Sequence, residues 1–544
     1  MQKIYFRALA SSFLLWLAWP PMSFTAPLLL MAFVPLLLST ESIIESDTPK
    51  KGKKVFWLAF LVFFVWNTSC IYWVFNSLNA VMPAGVAILI SLIPFGLAAL
   101  LMAIAFWLYY QLRKITTKTW SYAGLVVFWI GYEYLHQSWE LAFPWMTLGN
   151  GFAGSHQLVQ WYEYTGVYGG TLWIWVANLL AFELTLSRAE SSDAAMKAQK
   201  RYLQVLFGWV MLPILISYTM YTRYKEAENP SNVVVVQPNI DPYEKFNSLP
   251  ANEQVKRLIY LSDSLGQPNT EYFIWPETAI SESADEERIR FDSNYVSIKS
   301  FLQKYKNGNV LSGIESYLLY DTAKTPTARY NEQNGIFYDA FNAAIQIENT
   351  ARVQFYHKSK LVPGVEQTPF SSALSFLKPV FAAFGGSTGG YGFQDEPSVF
   401  YSQTGIGAAP VICYESIWGE YVGDCVKKGA QFIAIITNDA WWGDTSGKDQ
   451  HLAYAKLRAI ETRRWVARSA NTGISGFINQ RGDVVVQSKW WEATALKADI
   501  NLNDELTFYV KHGDYIAVFA SILAVCFLIF ILVSFRTRKR SAQI

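Results

Sequence analysis

The stretch APVICYESIW (409–418) ends an apolar run on Cys413, and Glu415 follows two residues later. Two other apolar runs also lead to ionisable groups. Glu277 closes YFIWPE (272–277), and Lys358 lies in QFYHKSKLVPGVE (354–366). A cysteine, a carboxylate and an ammonium are what acyl transfer through a thioester needs. The thiolate is the nucleophile, and an unperturbed thiol of pKa near 8.5 is mostly protonated at neutral pH. A neighbouring carboxylate can take that proton and later return one to the leaving group. A fixed ammonium, together with the backbone N–H after the cysteine, can stabilise the oxyanion, each donor being worth roughly 3 kcal/mol of barrier. Every one of these residues also has an ordinary structural use. Cys413 can be a small core hydrophobe, and Glu277 after Pro276 a turn or cap residue. Lys358, with Lys360 two positions on, can be a solvated strand edge; Glu366 and Glu415 can be surface charges. A Cys–His pair drawing on His357 or His451 is a further alternative. Sequence separation alone does not bring these groups together.

The elements that must position them lie between residues 225 and 510, where charges return and short β-branched runs alternate with helical patterns. NVVVVQPNI (232–240), YFIWPE (272–277), NVLSGIES (309–316), YDAFNAAIQIE (338–348), APVICYES (409–416), FIAIITND (432–439) and RWVARSANTG (464–473) read as strands. DQHLAYAKLRAIETRR (449–464) has helical periodicity, with Leu452, Ala455 and Ala459 on one face. Strands alternating with helices indicate an α/β domain. No Rossmann glycine fingerprint or phosphate-binding G-K-[ST] loop is present, which disfavours nucleotide chemistry.

Around this domain the chain has a different solvent. Its 544 residues exceed a usual single domain, and only 16% of them are charged against roughly 25% in an average globular chain. Between Lys54 and Arg113 there is no charged side chain, enough for two spans of about 20 residues each. Spans are expected near 5–19, 22–39, 55–75, 84–110, 120–135, 161–186, 202–222 and 514–535, about eight in all. The first two are short and broken by WPPMSF, which reads as a hairpin. The N-terminal segment is not expected to be a cleavable signal peptide. TPKKGKK (48–54), QLRKITTK (111–118), KAQKR (197–201) and RTRKR (536–540) all fall on one side if the N-terminus is cytoplasmic. The expected organisation is therefore a helical bundle over 1–224, a periplasmic domain over 225–510, and an anchor with a basic cytoplasmic tail over 511–544. The net charge of +2 is not gathered into a face for nucleic acid. The four cysteines, Cys70, Cys413, Cys425 and Cys526, are scattered and include no C-x-x-C pair, which argues against zinc and against a disulfide framework.

The order Glu…Lys…Cys, in the contexts WPETA, HKSKLVPGVE and CYES, resembles the nitrilase superfamily. With the flanking spans, the whole chain is similar to the family of membrane-embedded apolipoprotein N-acyltransferases, carried by VQPNID, LVP…E, CYE, TNDAWWGD, QHL…A…RAIE and RSANTGISG. The resemblance implies an αββα sandwich with Glu277 as general base, Lys358 as oxyanion stabiliser and Cys413 as nucleophile. It implies that Glu366 helps hold the lysine, that Glu415 is a further essential acid, and that Tyr414 supplies the backbone N–H after the nucleophile. Lys358 is preferred to Lys360 because it stands three residues before the LVP run. Two departures stand out: LVPGVE replaces the family's frequent LVPFGE, and Phe246 stands where a tryptophan is frequent.

The segment 368–393 is long, apolar and broken by GGSTGG (385–390). Besides a core helix and loop, it reads as an arm at the bilayer surface, with Leu374, Phe376, Leu377, Val380, Phe381 and Phe384 toward acyl chains. Trp441 and Trp442 read either as an apolar entrance or as core or interfacial tryptophans. The reaction implied is two-step. Cys413 takes an acyl chain from a phospholipid, phosphatidylethanolamine at sn-1 by the resemblance, and the amine of a diacylglyceryl-cysteine apolipoprotein then receives it. No metal or nucleotide cofactor is expected, because the thioester holds the activation, and the chain is expected to be a monomer. The rival enzyme is a membrane-anchored nitrilase-like amidohydrolase with water as acceptor. The rival from another class is a transporter or scaffold with an inactive domain, its sign being intramembrane charge such as Glu133, Glu163 and Glu183.

Overall fold

The computed structural model describes residues 2–80, 82–246, 249–367, 369–370 and 390–541. Its soluble part is built on two sheets. The first carries β1 (Pro230–Gln237), β2 (Thr270–Ile274), β3 (Ile280–Asp285), β4 (Asn309–Tyr320), β5 (Arg329–Asn331), β6 (Ile336–Glu348) and β7 (Val353–His357). The second carries β8 (Phe400–Tyr401), β9 (Gly407–Ile412), β10 (Phe432–Thr437), β11 (Val466–Ala470), β12 (Gly476–Ile478) and β13 (Val484–Gln487), after which β14 (Thr494–Asn501) returns to pair antiparallel with β1. Glu277 and Cys413 follow strands with parallel neighbours, β2 between β1 and β4, and β9 beside β10, whereas β7, which leads to Lys358, pairs antiparallel with β6.

Period-two alternation explains the layering. Val233 and Val235 of β1 face the second sheet with Tyr272, Ile274, Leu311 and Ala344, meeting Ile412, Phe432, Ala434 and Ile436. Val234 and Val236 face the other way, against Val255 and Leu258 of one outer helix and Ile298 and Phe301 of the next. On the far side, Val411, Ile433 and Ile435 pack on Val422, Val426, Ala455 and Ala459. Strands buried on both faces are apolar throughout, which is why VVVV and FIAII are continuous rather than alternating. The result is the expected αββα sandwich.

Eight helical stretches occupy the positions expected of spans. They are α1 (Gln2–Leu17), a 3-10 turn at Ala26–Leu30 leading into α2 (Val34–Glu45), α3 (Lys51–Cys70) with α4 (Trp73–Asn79), α5 (Ala84–Arg113), α6 (Lys118–Gln137), α7 (Tyr162–Arg188), α8 (Asp193–Arg223) and a C-terminal helix at Tyr515–Ser541. Among the described residues, five are long and apolar enough to cross a bilayer, and six if α3 and α4, bent by 61°, count as one. Residues 144–158, which lie between expected spans, fold into the bundle as two largely buried 3-10 helices. Glu133 of α6 holds them, accepting from Leu148 N at 2.7 Å, Trp129 Nε1 at 2.9 Å and Thr171 Oγ1 at 2.9 Å. The intramembrane glutamates thus serve the packing. Glu183 pairs with Lys118 at 2.7 Å, and Glu163 with Arg463 of the soluble domain.

Among the described residues, six further α-helices precede the C-terminal anchor: α9 (Pro242–Lys245), α10 (Ala251–Leu265), α11 (Ser293–Leu302), α12 (Gly419–Lys427), α13 (Ser446–Thr462) and α14 (Phe508–His512). Of these, α13 joins the two halves. It starts on Thr445, whose hydroxyl accepts from Gly447 N, and stops where Arg463 adopts a left-handed conformation. The face expected from the sequence, Leu452, Ala455 and Ala459, packs on the second sheet. The opposite face, Ala453, Tyr454 and Leu457, packs with the membrane helices. Gln450 plugs into them: its Oε1 accepts from Trp145 Nε1 at 2.7 Å and Trp73 Nε1 at 3.2 Å, and its Nε2 donates to Pro20 O and Cys70 O at 3.0 Å each. An unpaired buried polar group costs about 1–3 kcal/mol. Gln450→Leu strands four of them, so thermal unfolding of the full chain in detergent should show a loss of at least about 4 kcal/mol; an unchanged midpoint would remove Gln450 from the junction.

Candidate active site

Glu277, Lys358 and Cys413 each follow the end of a strand, β2, β7 and β9 respectively. Lys358 is 1% exposed, and its ammonium lies 2.7 Å from Glu366 Oε1 and 3.2 Å from Glu277 Oε1. Asn342 of β6 completes the cluster, its Nδ2 donating to both carboxylates at 2.9 Å. Glu366 is fixed through its second oxygen by Val362 N at 2.7 Å. The LVPGVE departure leaves this turn intact: Gly364 takes a positive φ of 81°, and Glu366 N bonds back to Val362 O at 2.9 Å. Burial disfavours the Lys358 ammonium, but the carboxylates of Glu277 and Glu366 outweigh it and hold its pKa well above the ordinary lysine value.

Cys413 begins a 3-10 turn at Cys413–Ile417 in the left-handed region, φ 51°. Burial is the largest influence on its thiol and pushes it up; the Glu277 charge adds to this, while the Lys358 charge and a hydrogen bond with the Thr437 side chain act against it. Burial thus favours the neutral thiol over the thiolate.

Glu415 does not sit on the surface. Fully buried, it accepts from Ile412 N at 2.8 Å through one oxygen, and from Ser359 N at 2.6 Å, Lys360 N at 3.2 Å and the Tyr356 hydroxyl through the other. One carboxylate thus ties the residue before Cys413 to the residue after Lys358. Lys360 itself lies over the Tyr421 ring, away from the cluster. Of the two histidines, His357 bonds Glu286 at 2.6 Å, and His451 Nε2 lies 3.2 Å from the Cys413 carbonyl and 2.8 Å from Ser416 Oγ, facing backbone rather than the thiol.

The site rests on the membrane helices. Tyr414 donates through its hydroxyl to Ala142 O at 2.9 Å, and Trp418 Nε1 donates to Gln137 O at 3.0 Å. Trp442 stacks within 4.9 Å of Trp73 and 5.4 Å of Trp145, inside the junction between the halves. Trp441 is more open at 36% exposure, and Phe246 is 49% exposed with Lys245 Nζ over its ring. Phe381 and Phe384, with the rest of the expected arm over 371–389, lie outside the described residues.

Several participants had no motif to announce them. Asn342 has a signal in hindsight: it is a polar residue on the same face of β6 as Ala344, which points between the sheets. Lys245, 2% exposed, donates to Glu277 O at 3.0 Å and Thr278 Oγ1 at 2.6 Å. Burial lowers its pKa to about 8, and burial raises that of neighbouring Glu315 to about 7.

A sandwich with a carboxylate, an ammonium and a cysteine converging at strand ends is a carbon–nitrogen hydrolase arrangement, and residues 232–505 match the carbon–nitrogen hydrolase family model. Residues 11–180 match the model of the apolipoprotein N-acyltransferase N-terminal domain. Over 532 residues the chain is 30% identical to the apolipoprotein N-acyltransferase of Chlorobaculum tepidum, covering 95% of this chain and 94% of that one. It is 26% identical over 529 residues to that of Geobacter metallireducens, covering 95% and 93%. The chain belongs to the apolipoprotein N-acyltransferase family, and it is a membrane protein. Among solved structures, Saccharomyces cerevisiae Nit3, a member of branch 10 of the nitrilase superfamily, aligns at a TM-score of 0.35 and 14% identity over 51% of this chain and 92% of its own.

Glu277 owes its place to a close backbone approach. A Cβ on Gly313 of β4 would lie 2.3 Å from Thr278 N and 2.6 Å from Glu277 Cα, where Thr278 already has a left-handed φ of 48°. Gly313→Ala should therefore displace Glu277 and lower acyl transfer to a lipopeptide at least tenfold, measured against its unfolding midpoint; wild-type rates would show that the approach is not needed.

Proposed function

We propose that this chain moves an acyl chain from a membrane phospholipid to the N-terminal amine of a diacylglyceryl-cysteine apolipoprotein through a thioester on Cys413. The observation that carries the reading is the buried Lys358 ammonium between Glu277 and Glu366, next to a cysteine whose following residue is bonded to the membrane domain.

In the first step Cys413 Sγ bonds to the ester carbonyl carbon as its proton passes to Glu277. The tetrahedral oxyanion is met by the Lys358 ammonium and the Tyr414 N–H. The carbon–oxygen bond then breaks, and Glu277 returns the proton to the leaving alkoxide, giving a lysophospholipid. In the second step the amine nitrogen attacks the thioester, Glu277 takes its proton, and the proton returns to the departing sulfur. The kinetics are ping-pong. Glu366 and Asn342 hold Lys358, and Glu415 fixes the spacing of Lys358 and Cys413. Phe246 and Trp441 form part of the lipid entrance, with Trp442 beside Trp73 and Trp145. Neither step uses a metal or nucleotide.

In this reading all eight helical stretches span the bilayer. The domain over 225–510 lies outside the cytoplasm, in the periplasm, and both termini lie inside. The basic clusters at 48–54, 111–118, 197–201 and 536–540 support that orientation. The 1–224 bundle and the 511–544 anchor then present the site to the outer leaflet of the inner membrane, and one copy of the chain suffices.

Mass analysis of the purified chain after incubation with phospholipid should find an acyl adduct on Cys413 that persists until a diacylated lipopeptide is added. Cys413→Ala should form none. Rapid turnover to free fatty acid without an amine would instead make the chain a hydrolase, and full cellular function of Cys413→Ala would leave only a scaffold.

Lys358→Met should fold and still lose adduct formation by about two to three orders of magnitude. A normal rate would take the lysine out of the mechanism and bring Lys360 forward.

A further inference from the structure

Three motifs play no part in the two steps above: TNDAWWGD (437–444), QHL (450–452) and RSANTG (468–473). Their polar side chains meet behind Cys413. β10 runs parallel beside β9 with Ile436 opposite Ile412, so the next residue, Thr437, stands beside Cys413. The Thr437 side chain is close enough to act on the Cys413 thiol, and its Oγ1 donates to Asp439 Oδ1 at 2.9 Å. Asp439 is fully buried and has two other partners, His451 Nδ1 at 3.0 Å and the Arg468 guanidinium.

A hydroxyl carries one proton. While Thr437 donates to Asp439, it can only accept from the thiol S–H. Once that proton has passed to Glu277, the sulfur is an acceptor and needs a donor. Thr437 can supply one by rotating, because Asp439 keeps the Arg468 and His451 bonds and is not left unpaired. We propose that Thr437 is a further catalytic residue, whose hydroxyl turns from Asp439 to the sulfur and stabilises the Cys413 thiolate in both half-reactions. No bond to Thr437 breaks: the thiol proton goes to Glu277, and the hydroxyl proton only changes its acceptor. Asp439, His451 and Arg468 act through Thr437 as positioning residues.

The surroundings make such a donor useful. Glu277 and Lys358 face the sulfur from the ends of β2 and β7, with Glu366 behind the lysine. That ammonium is already shared between two carboxylates. Glu415, from the turn of Cys413 itself, is committed to Ile412, Ser359 and Lys360. His451, from α13, faces the Cys413 carbonyl, and Asp439, beyond Thr437, carries the same sign as the thiolate.

The inference rests on Cys413 being the nucleophile, and its test is separable from that reading. Alkylation of Cys413 by iodoacetamide, followed by the mass of its peptide in the full-length chain in detergent, reads the thiolate fraction directly. Across neutral to mildly alkaline pH, Thr437→Val should alkylate about tenfold more slowly, a shift of about one pH unit in its profile, and Thr437→Ser should restore the wild-type profile. Thr437→Ala opens space beside the sulfur, so it should also be slower if the hydroxyl matters, and faster if only access does. Wild-type profiles for Val or Ala, or a serine profile as shifted as the valine one, would overturn the proposal. If the valine variant does not fold, the alanine and serine pair decides. If Cys413→Ala retained acyl transfer, the nucleophile reading would fall while these profiles would still report whether Thr437 stabilises the thiolate.

Discussion

The site depends on a buried positive charge. An ammonium removed from water is costly unless neighbouring charges and hydrogen bonds replace its hydration. Lys358 meets that requirement with two carboxylates, Glu277 and Glu366, and those carboxylates are in turn held by Asn342. Because each member satisfies the others, none can be moved alone. β2, β6, β7 and the turn before Glu366 must all be in register for the charge to be balanced. The fold of the first sheet and the geometry of the site are thus one constraint.

The second sheet contributes the nucleophile and, through α13, the connection to the bilayer. Gln450 reaches the membrane helices while His451, the next residue along, reaches the carbonyl of Cys413. Successive residues on a helix point about 100° apart, so one helix buried on both sides can serve both tasks. Cys413 is therefore positioned relative to the membrane helices as well as to its own sheet.

The fold class and seven of the strands were legible in the sequence, and Glu277, Lys358 and Cys413 stood out as ionisable residues after apolar runs. Continuous apolar runs marked strands buried on both faces, and ionisable residues at their ends marked a site. Strands β3, β5, β7, β8 and β12 to β14 were not expected: most are short, and several, such as Gly476–Ile478, take their structure from the neighbour they pair with. The bundle's inner turns over 144–158 escaped notice for a similar reason, since Pro, Gly and Asn read as loop until Glu133 supplies partners for them.

What the sequence determined by itself was composition and local pattern: two solvents for one chain, parallel-sheet strands, and a cysteine, a lysine and glutamates at strand ends. What the tertiary structure decided was which charges compensate which. Glu415 was indistinguishable from a surface charge along the chain; folding places it between Ile412 N and Ser359 N, where it ties the segment before Cys413 to the segment after Lys358. Asn342, Thr437 and Asp439 carry no functional mark of their own. Their roles come from contacts between strands far apart in sequence, and hydrogen-bond geometry across such distances is fixed only when the sheets have packed.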